Sequence, residues 1–198
     1  MEEAILNFSK QFEWEPKIQN FGELKRREIV IVAGMGGSHL AADIVRLWNP
    51  LLDIIVHSDY GLRGIPESVL QNSLIIANSY SGNTEETISV FEEGVLRHIP
   101  VAAIGIGGKL LDLAKQHSVP YIQIPDTRIQ PRMALGFTLK ALAKIAGFGD
   151  LTKEAGELAS LLKPEVFREQ GEDLAKKLQG KIPVIYASRK NYAVAYNW

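Results

Sequence analysis

The stretch EIVIVAGMGGSHLAADIVRLW, residues 28–48, joins a short β-branched run to a glycine-rich loop and then to a segment of helical period. The run is continuously apolar, without the polar alternation of a strand that has one wet face, so it reads as a strand buried on both faces. The same order recurs down the chain. LLDIIVHS (51–58) and NSLIIANS (72–79) are further strand-like runs, followed by the helix-period segment TEETISVFEEGVLRH (84–98). IPVAAIGIG (99–107), KLLDLAKQH (109–117), VPYIQIP (119–125) and MALGFTLKALAKIAGFG (133–149) continue it. Short strands alternating with longer helices predict an α/β fold, a doubly wound, parallel five-stranded sheet flanked by helices. In such sheets ligands bind beyond the carboxyl ends of the strands, so the strand-to-helix loops are where chemistry is expected.

The alternation stops near Gly149. Two helix-like segments, 151–162 and 165–178, meet across Lys163 and Pro164 and read as a helical connector over 151–180. Residues 181–198 then begin a second unit. There IPVIYASRKNYAVAYNW repeats the opening pattern weakly: VIYAS answers VIVAG, and the segment ends in Trp198 as the first helix ends in Trp48. One strand and part of a helix cannot bury a core of their own. The segment is therefore expected either to start a further domain or to dock on the first domain, residues 1–150, or on a partner chain.

Of 198 residues, nearly half are hydrophobic and about a quarter charged, an ordinary globular composition. A net charge of −1 argues against a nucleic-acid partner, which a clustered basic surface would announce. The absence of cysteine excludes disulfides, thiolate metal ligands and a thiol nucleophile. MEEAILNFSKQFEW at the start is acidic and amphipathic, unlike a secretion signal, and no run approaches the roughly 18 apolar residues of a membrane span. The expected partner is a small molecule, with no membrane, in the cytoplasm.

Two loops carry the chemistry. GMGGSH, residues 34–39, can bring backbone close to an anion at the start of the following helix. A dinucleotide fingerprint would need glycine at position 39, where His39 stands; Ala41 and an acid at Asp53 or Asp59 keep that rival in view. A tight glycine turn with close helix packing is the bland alternative. The second loop, NSYSGNTEET at 78–87, presents Ser79, Ser81 and Thr84 as hydroxyl donors, with Gly82 to turn the chain and a helix N-terminus behind. Convergent donors suit a phosphate. The competing reading is helix capping, with Asn83 and Glu86 as a capping-box variant.

GMGGS, SYSGNTEET and the later PRMALG (131–136), taken in order and spacing, resemble the sugar isomerase (SIS) domain, and in particular the bifunctional phosphoglucose/phosphomannose isomerase family. The resemblance spans about 150 residues, and the Ser188–Arg189 pair extends it. It implies two SIS domains per subunit, a homodimer and a hexose 6-phosphate substrate; no cofactor is expected, and no metal, since no His and carboxylate cluster has ligand spacing. It also implies that Ser79, Ser81 and Thr84 bind the phosphate, that Gly36, Gly37 and Ser38 face the sugar phosphate, and that Arg132 faces the reacting oxygens. A guanidinium there would stabilise an enediolate during aldose–ketose interconversion. The alternative for Arg132 is a surface ion pair at a helix start.

Isomerisation also needs a base to carry a proton between C1 and C2 and an acid to open the ring. By resemblance, the family's glutamate, histidine and lysine for these steps lie beyond Trp198. Within the chain, His39 either touches ligand or fixes its turn, and His57 reads as a hydrogen-bonded structural residue. His98 and His117 sit near helix C-termini, where a positive charge is mildly favoured, and Glu85 and Glu86 face solvent. The expected function is sugar-phosphate isomerase, with this chain holding the phosphate; a non-catalytic sugar-phosphate sensing module is the alternative.

Overall fold

The computed structural model describes residues 1–188 and 191–197. The expected strands form: β1 (Ile29–Ala33), β2 (Ile54–His57), β3 (Ser73–Asn78), β4 (Val101–Gly105) and β5 (Tyr121–Gln123). They make one sheet in the order β2-β1-β3-β4-β5. Every pair is parallel, with Val32 beside Val56 on one side and Ile76 on the other.

The helices are α1 (Glu2–Leu6), α2 (Leu40–Trp48), α3 (Glu67–Leu70), α4 (Glu85–Leu96), α5 (Gly108–Gln116), α6 (Leu135–Ala146), α7 (Gly149–Leu161), α8 (Arg168–Leu178) and α9 (Tyr192–Asn197). Side chains of successive strand residues go to opposite faces. Val30, Val32, Leu74, Ile76 and Ile104 pack with α2 and α6, whereas Ile31, Ala33, Ile75, Ala77 and Ala103 pack with α4 and α5. Both faces are dry, which is why these strands show no polar alternation.

The strand order places a topological switch at β1 and β3. From β1 the chain crosses to β2 on one side and later returns to β3 on the other. The loops after β1 and β3 therefore leave the same edge of the sheet side by side.

An N-terminal arm, unassigned by the sequence reading, braces the α6 face. Gln11 Nε2 donates to Met133 O at 2.7 Å, and its Oε1 accepts from the backbone N–H of Gly136 at 3.0 Å. The wholly buried Lys140 ammonium donates to Phe12 O at 2.6 Å and to Glu15 Oε1 at 2.7 Å. Further along, Gln19 bridges antiparallel to Tyr121 and covers the β5 edge.

The stretch expected to be a connector is helical, but its first helix joins the core: Leu151 and Ala155 of α7 are buried in the α6 side. The strand expected at 182–187 does not form. Ile182, Val184 and Tyr186 are exposed, in irregular chain. A strand is held by ladder bonds to a neighbour, and no described strand pairs with this run. The following helix does form, as α9, and lies against α2 with Ala193 buried. The expected motif residue Arg189, like Lys190 and Trp198, lies outside the described residues. Among the described residues no helix is long and apolar enough to cross a membrane.

Candidate functional site

At the switch point the three motifs meet. Ser38, at the end of the first loop, is buried; its Oγ accepts from the backbone N–H of Tyr80 at 3.2 Å, and its carbonyl accepts from Asn78 Nδ2. Asn78, at the end of β3, thus ties the first loop to the second, a role the sequence reading did not foresee. Gly37 lies against Pro131–Ala134, the 3₁₀ turn carrying Arg132. A Cβ on Gly37 would stand 2.9 Å from Arg132 N, so glycine is what lets the first and third motifs touch. Gly36 is exposed beside it.

The serine loop is organised from inside. Ser79 Oγ lies 2.9 Å from Thr84 Oγ1 and accepts from Gly82 N–H at 3.1 Å. Ser79 has no exposed surface, whereas Ser81 is exposed and Thr84 half-buried. Of the three expected phosphate ligands, Ser81 and Thr84 are the accessible ones. Ser79 supports the turn from beneath.

Capping does not explain the loop. Thr84 is the N-cap residue of α4, yet its side chain makes no capping bond and turns to Ser79 instead. Asn83 Oδ1 accepts from the Lys109 backbone N–H at 3.1 Å, and its Nδ2 donates to Ser81 O at 3.3 Å. Among the described residues the capping box expected as the bland reading is therefore absent, and the first-turn N–H groups of α4 have no side-chain partner.

A fourth loop was missed. GIGG, residues 105–108, follows β4 as GMGG follows β1, and that likeness was a signal available in the sequence. Leu110 N–H donates to Gly82 O at 2.9 Å, and a Cβ on Gly82 (φ +73°) would stand 1.8 Å from Gly107 O. The serine loop is wedged against this second glycine loop.

Arg132 is exposed and makes no ion pair among the described residues, so the surface-pair alternative does not account for it. Its Nη1 donates to Tyr196 O at 2.8 Å. His39 Nδ1 lies 2.8 Å from Asp43 Oδ2; a carboxylate only accepts, so Nδ1 carries the proton. His57 Nε2 donates to Gly61 O at 2.6 Å, the structural role expected of it. His98 and His117 follow the C-terminal ends of α4 and α5. Glu85 is exposed and accepts from the Tyr60 hydroxyl at 3.3 Å.

Tyr80, between the serines, is buried, and among the described residues its hydroxyl has no hydrogen-bond partner, with Thr127 and the Ile129 backbone standing near it. Burial pushes this phenol above its ordinary range.

These loops sit on the fold of the SIS phosphosugar isomerases. The crystal structure of tagatose-6-phosphate ketose/aldose isomerase from Escherichia coli matches with a TM-score of 0.60 and 16% identity, over 99% of this chain and 55% of that one. By sequence the chain is a relative of the bifunctional phosphoglucose/phosphomannose isomerases, and the resemblance carried by the three motifs is borne out. It is 31% identical over 199 residues to the one from Aquifex aeolicus, covering 98% of this chain and 60% of that protein. It is 36% identical over 174 residues to the one from Thermoplasma acidophilum, covering 85% of this chain and 53% of that protein. The chain thus spans between about half and three fifths of the length of these relatives. No protein-family model matches it.

Proposed function

We propose that this chain holds a hexose 6-phosphate at the switch-point loops, as the phosphate-binding part of an aldose–ketose isomerase acting on glucose or mannose 6-phosphate and fructose 6-phosphate. The observation that carries this reading is the Ser79–Thr84 pair: hydroxyls at a helix start that do not cap the helix, beside an exposed Ser81 and unpartnered N–H groups. A dianionic phosphate would take Ser81, Thr84 and the first-turn N–H groups of α4, where the helix dipole favours negative charge. The backbone of Gly36 and Gly37, with Ser38 fixing its shape, would border the sugar.

Arg132, brought to Gly37 by backbone contact, would face O1 and O2. Moving a proton between C1 and C2 passes through an enediolate, and an unneutralised guanidinium favours that charge more than it favours the neutral carbonyl. Residues 1–150 would form the SIS domain, 151–180 a connector whose first helix packs on that domain, and 181–198 the start of a second SIS domain. A homodimer is inferred from the exposed apolar residues Ile182, Val184 and Tyr186.

Isothermal calorimetry with fructose 6-phosphate, inorganic phosphate and NAD tests the binding. Fructose 6-phosphate should bind and NAD should not; the reverse result would return the glycine loop to dinucleotide chemistry. A coupled assay for glucose 6-phosphate formation should show little turnover by these 198 residues. Robust turnover would refute the placement of the proton-transfer groups.

A further inference from the structure

Tyr196 of α9 stands between the side chains of the first and third motifs. Its ring centroid is 5.6 Å from that of His39, at an interplanar angle of 32°, and 5.7 Å from Arg132 Cζ. Its main-chain carbonyl accepts the 2.8 Å hydrogen bond from Arg132 Nη1. The ring is held in turn: Tyr192 stacks on it at 5.6 Å, and His39 is fixed by Asp43 one turn along α2. The His39 and Asp43 side chains are only 14% and 13% exposed, so this support is well packed.

We propose that Tyr196 is a positioning residue for Arg132, aiming the guanidinium at the reacting oxygens of a bound sugar phosphate. This deepens, and rests on, the function proposed above. Orientation passes from Asp43 through His39 to the Tyr196 ring, and from that ring and its carbonyl to Arg132. An arginine on an exposed 3₁₀ turn has much rotamer freedom to lose when it engages a ligand. Stacking on a held ring removes part of that cost in advance.

The contact orients Arg132 without disabling it. A guanidinium has five N–H donors, and the carbonyl of Tyr196 uses one. A carbonyl is also neutral, so the positive charge is left for an anion; a carboxylate in the same place would have cancelled it. Tyr196 is 38% exposed, which leaves the assembly open to solvent on one side.

The test compares the wild-type chain with Tyr196→Phe, Tyr196→Leu, Arg132→Ala and the Arg132→Ala/Tyr196→Leu double variant. Leucine keeps apolar bulk and the carbonyl but removes the ring face. Fructose 6-phosphate affinity should stay within about twofold for Tyr196→Phe and fall about fivefold for Tyr196→Leu, with melting temperatures close to wild type. With Arg132 replaced by alanine, Tyr196→Leu should have no further effect.

A ligand-free measurement accompanies it. The Arg132 δ-protons in the wild type and Tyr196→Phe should show an upfield ring-current shift that Tyr196→Leu abolishes. Wild-type binding with Tyr196→Leu unchanged, an equal loss with and without Arg132, or the absence of a ring-current shift would each overturn the inference while leaving the proposed function intact. A folded wild-type chain that does not bind fructose 6-phosphate would overturn both.

Discussion

Ser79 and Ser81 lie two residues apart in opposite surroundings, and the difference sets what each can do. Ser79 Oγ is spent on Gly82 N–H and Thr84, with no exposed surface. Replacing it with alanine orphans buried groups, so Ser79→Ala should lose about 1–2 kcal/mol in urea unfolding and weaken ligand binding through Thr84. Ser81 is exposed, so Ser81→Ala should keep stability within about 0.5 kcal/mol while fructose 6-phosphate affinity falls several-fold by calorimetry. Equal effects on stability would contradict this division of labour. Tyr80 makes a separate case. Its buried hydroxyl lacks a partner among the described residues, so Tyr80→Phe should gain about 1 kcal/mol. Its folded pKa is raised above the ordinary 10.0, chiefly by burial. The unfolded chain therefore loses this proton first, and the stability tied to the neutral phenol, complete below pH 10.0, drains away as pH rises through the folded value. Urea midpoints followed from pH 9 upward should fall more steeply for the wild type than for Tyr80→Phe.

Among the elements, glycines fix how closely the loops approach. Gly82→Ala would set a methyl 1.8 Å from Gly107 O at a φ of +73°, so it should unfold the loop's support and cost more than about 2 kcal/mol. Gly37→Ala puts its Cβ 2.9 Å from Arg132 N, and the turn carrying Arg132 must shift. Sugar-phosphate affinity should therefore drop more than the melting temperature does; an affinity equal to wild type would mean that Arg132 does not work from this turn. Strands and helices were legible here because burial on both faces leaves an apolar run that no other element needs. The pairing of Gly82 with Gly107 was not, since nothing in either segment names its partner. Residues 182–187 fail as a strand for the same reason. Their apolar, β-prone residues were read correctly, but strand formation belongs to a pair, and the described chain offers no second member.

For the whole molecule, the N-terminal arm and ligand linkage decide stability. Lys140 is buried to 0% exposure and joins α6 to the arm through Phe12 O and Glu15. Lys140→Ala should cost about 2–4 kcal/mol by leaving a cavity and an unpaired carbonyl, whereas Lys140→Met, which keeps the volume, should cost about 1 kcal/mol. Glu15→Gln leaves a buried ammonium without its counter-charge and should be worse than Lys140→Met, by an amount that chemical denaturation resolves. Ligand should protect the whole chain: fructose 6-phosphate at a hundred times its Kd should add about 2.7 kcal/mol and raise Tm by several degrees, and NAD should add nothing.

By itself the sequence determined the α/β class, the parallel sheet and the three motif loops, because period, burial and glycine placement are local properties written residue by residue. The relatives bear out the family that those motifs resemble. Only the tertiary structure decided which of the serines reaches solvent, that Thr84 turns to Ser79 instead of capping α4, and that Asn78, GIGG and Tyr196 join the site. The first two are settled by packing within the serine loop; the Asn78, GIGG and Tyr196 contacts depend on the switch between β1 and β3 and on the docking of α9. Contacts across 26 to 64 residues follow from where the sheet and helices set the loops in space, and no local pattern encodes them.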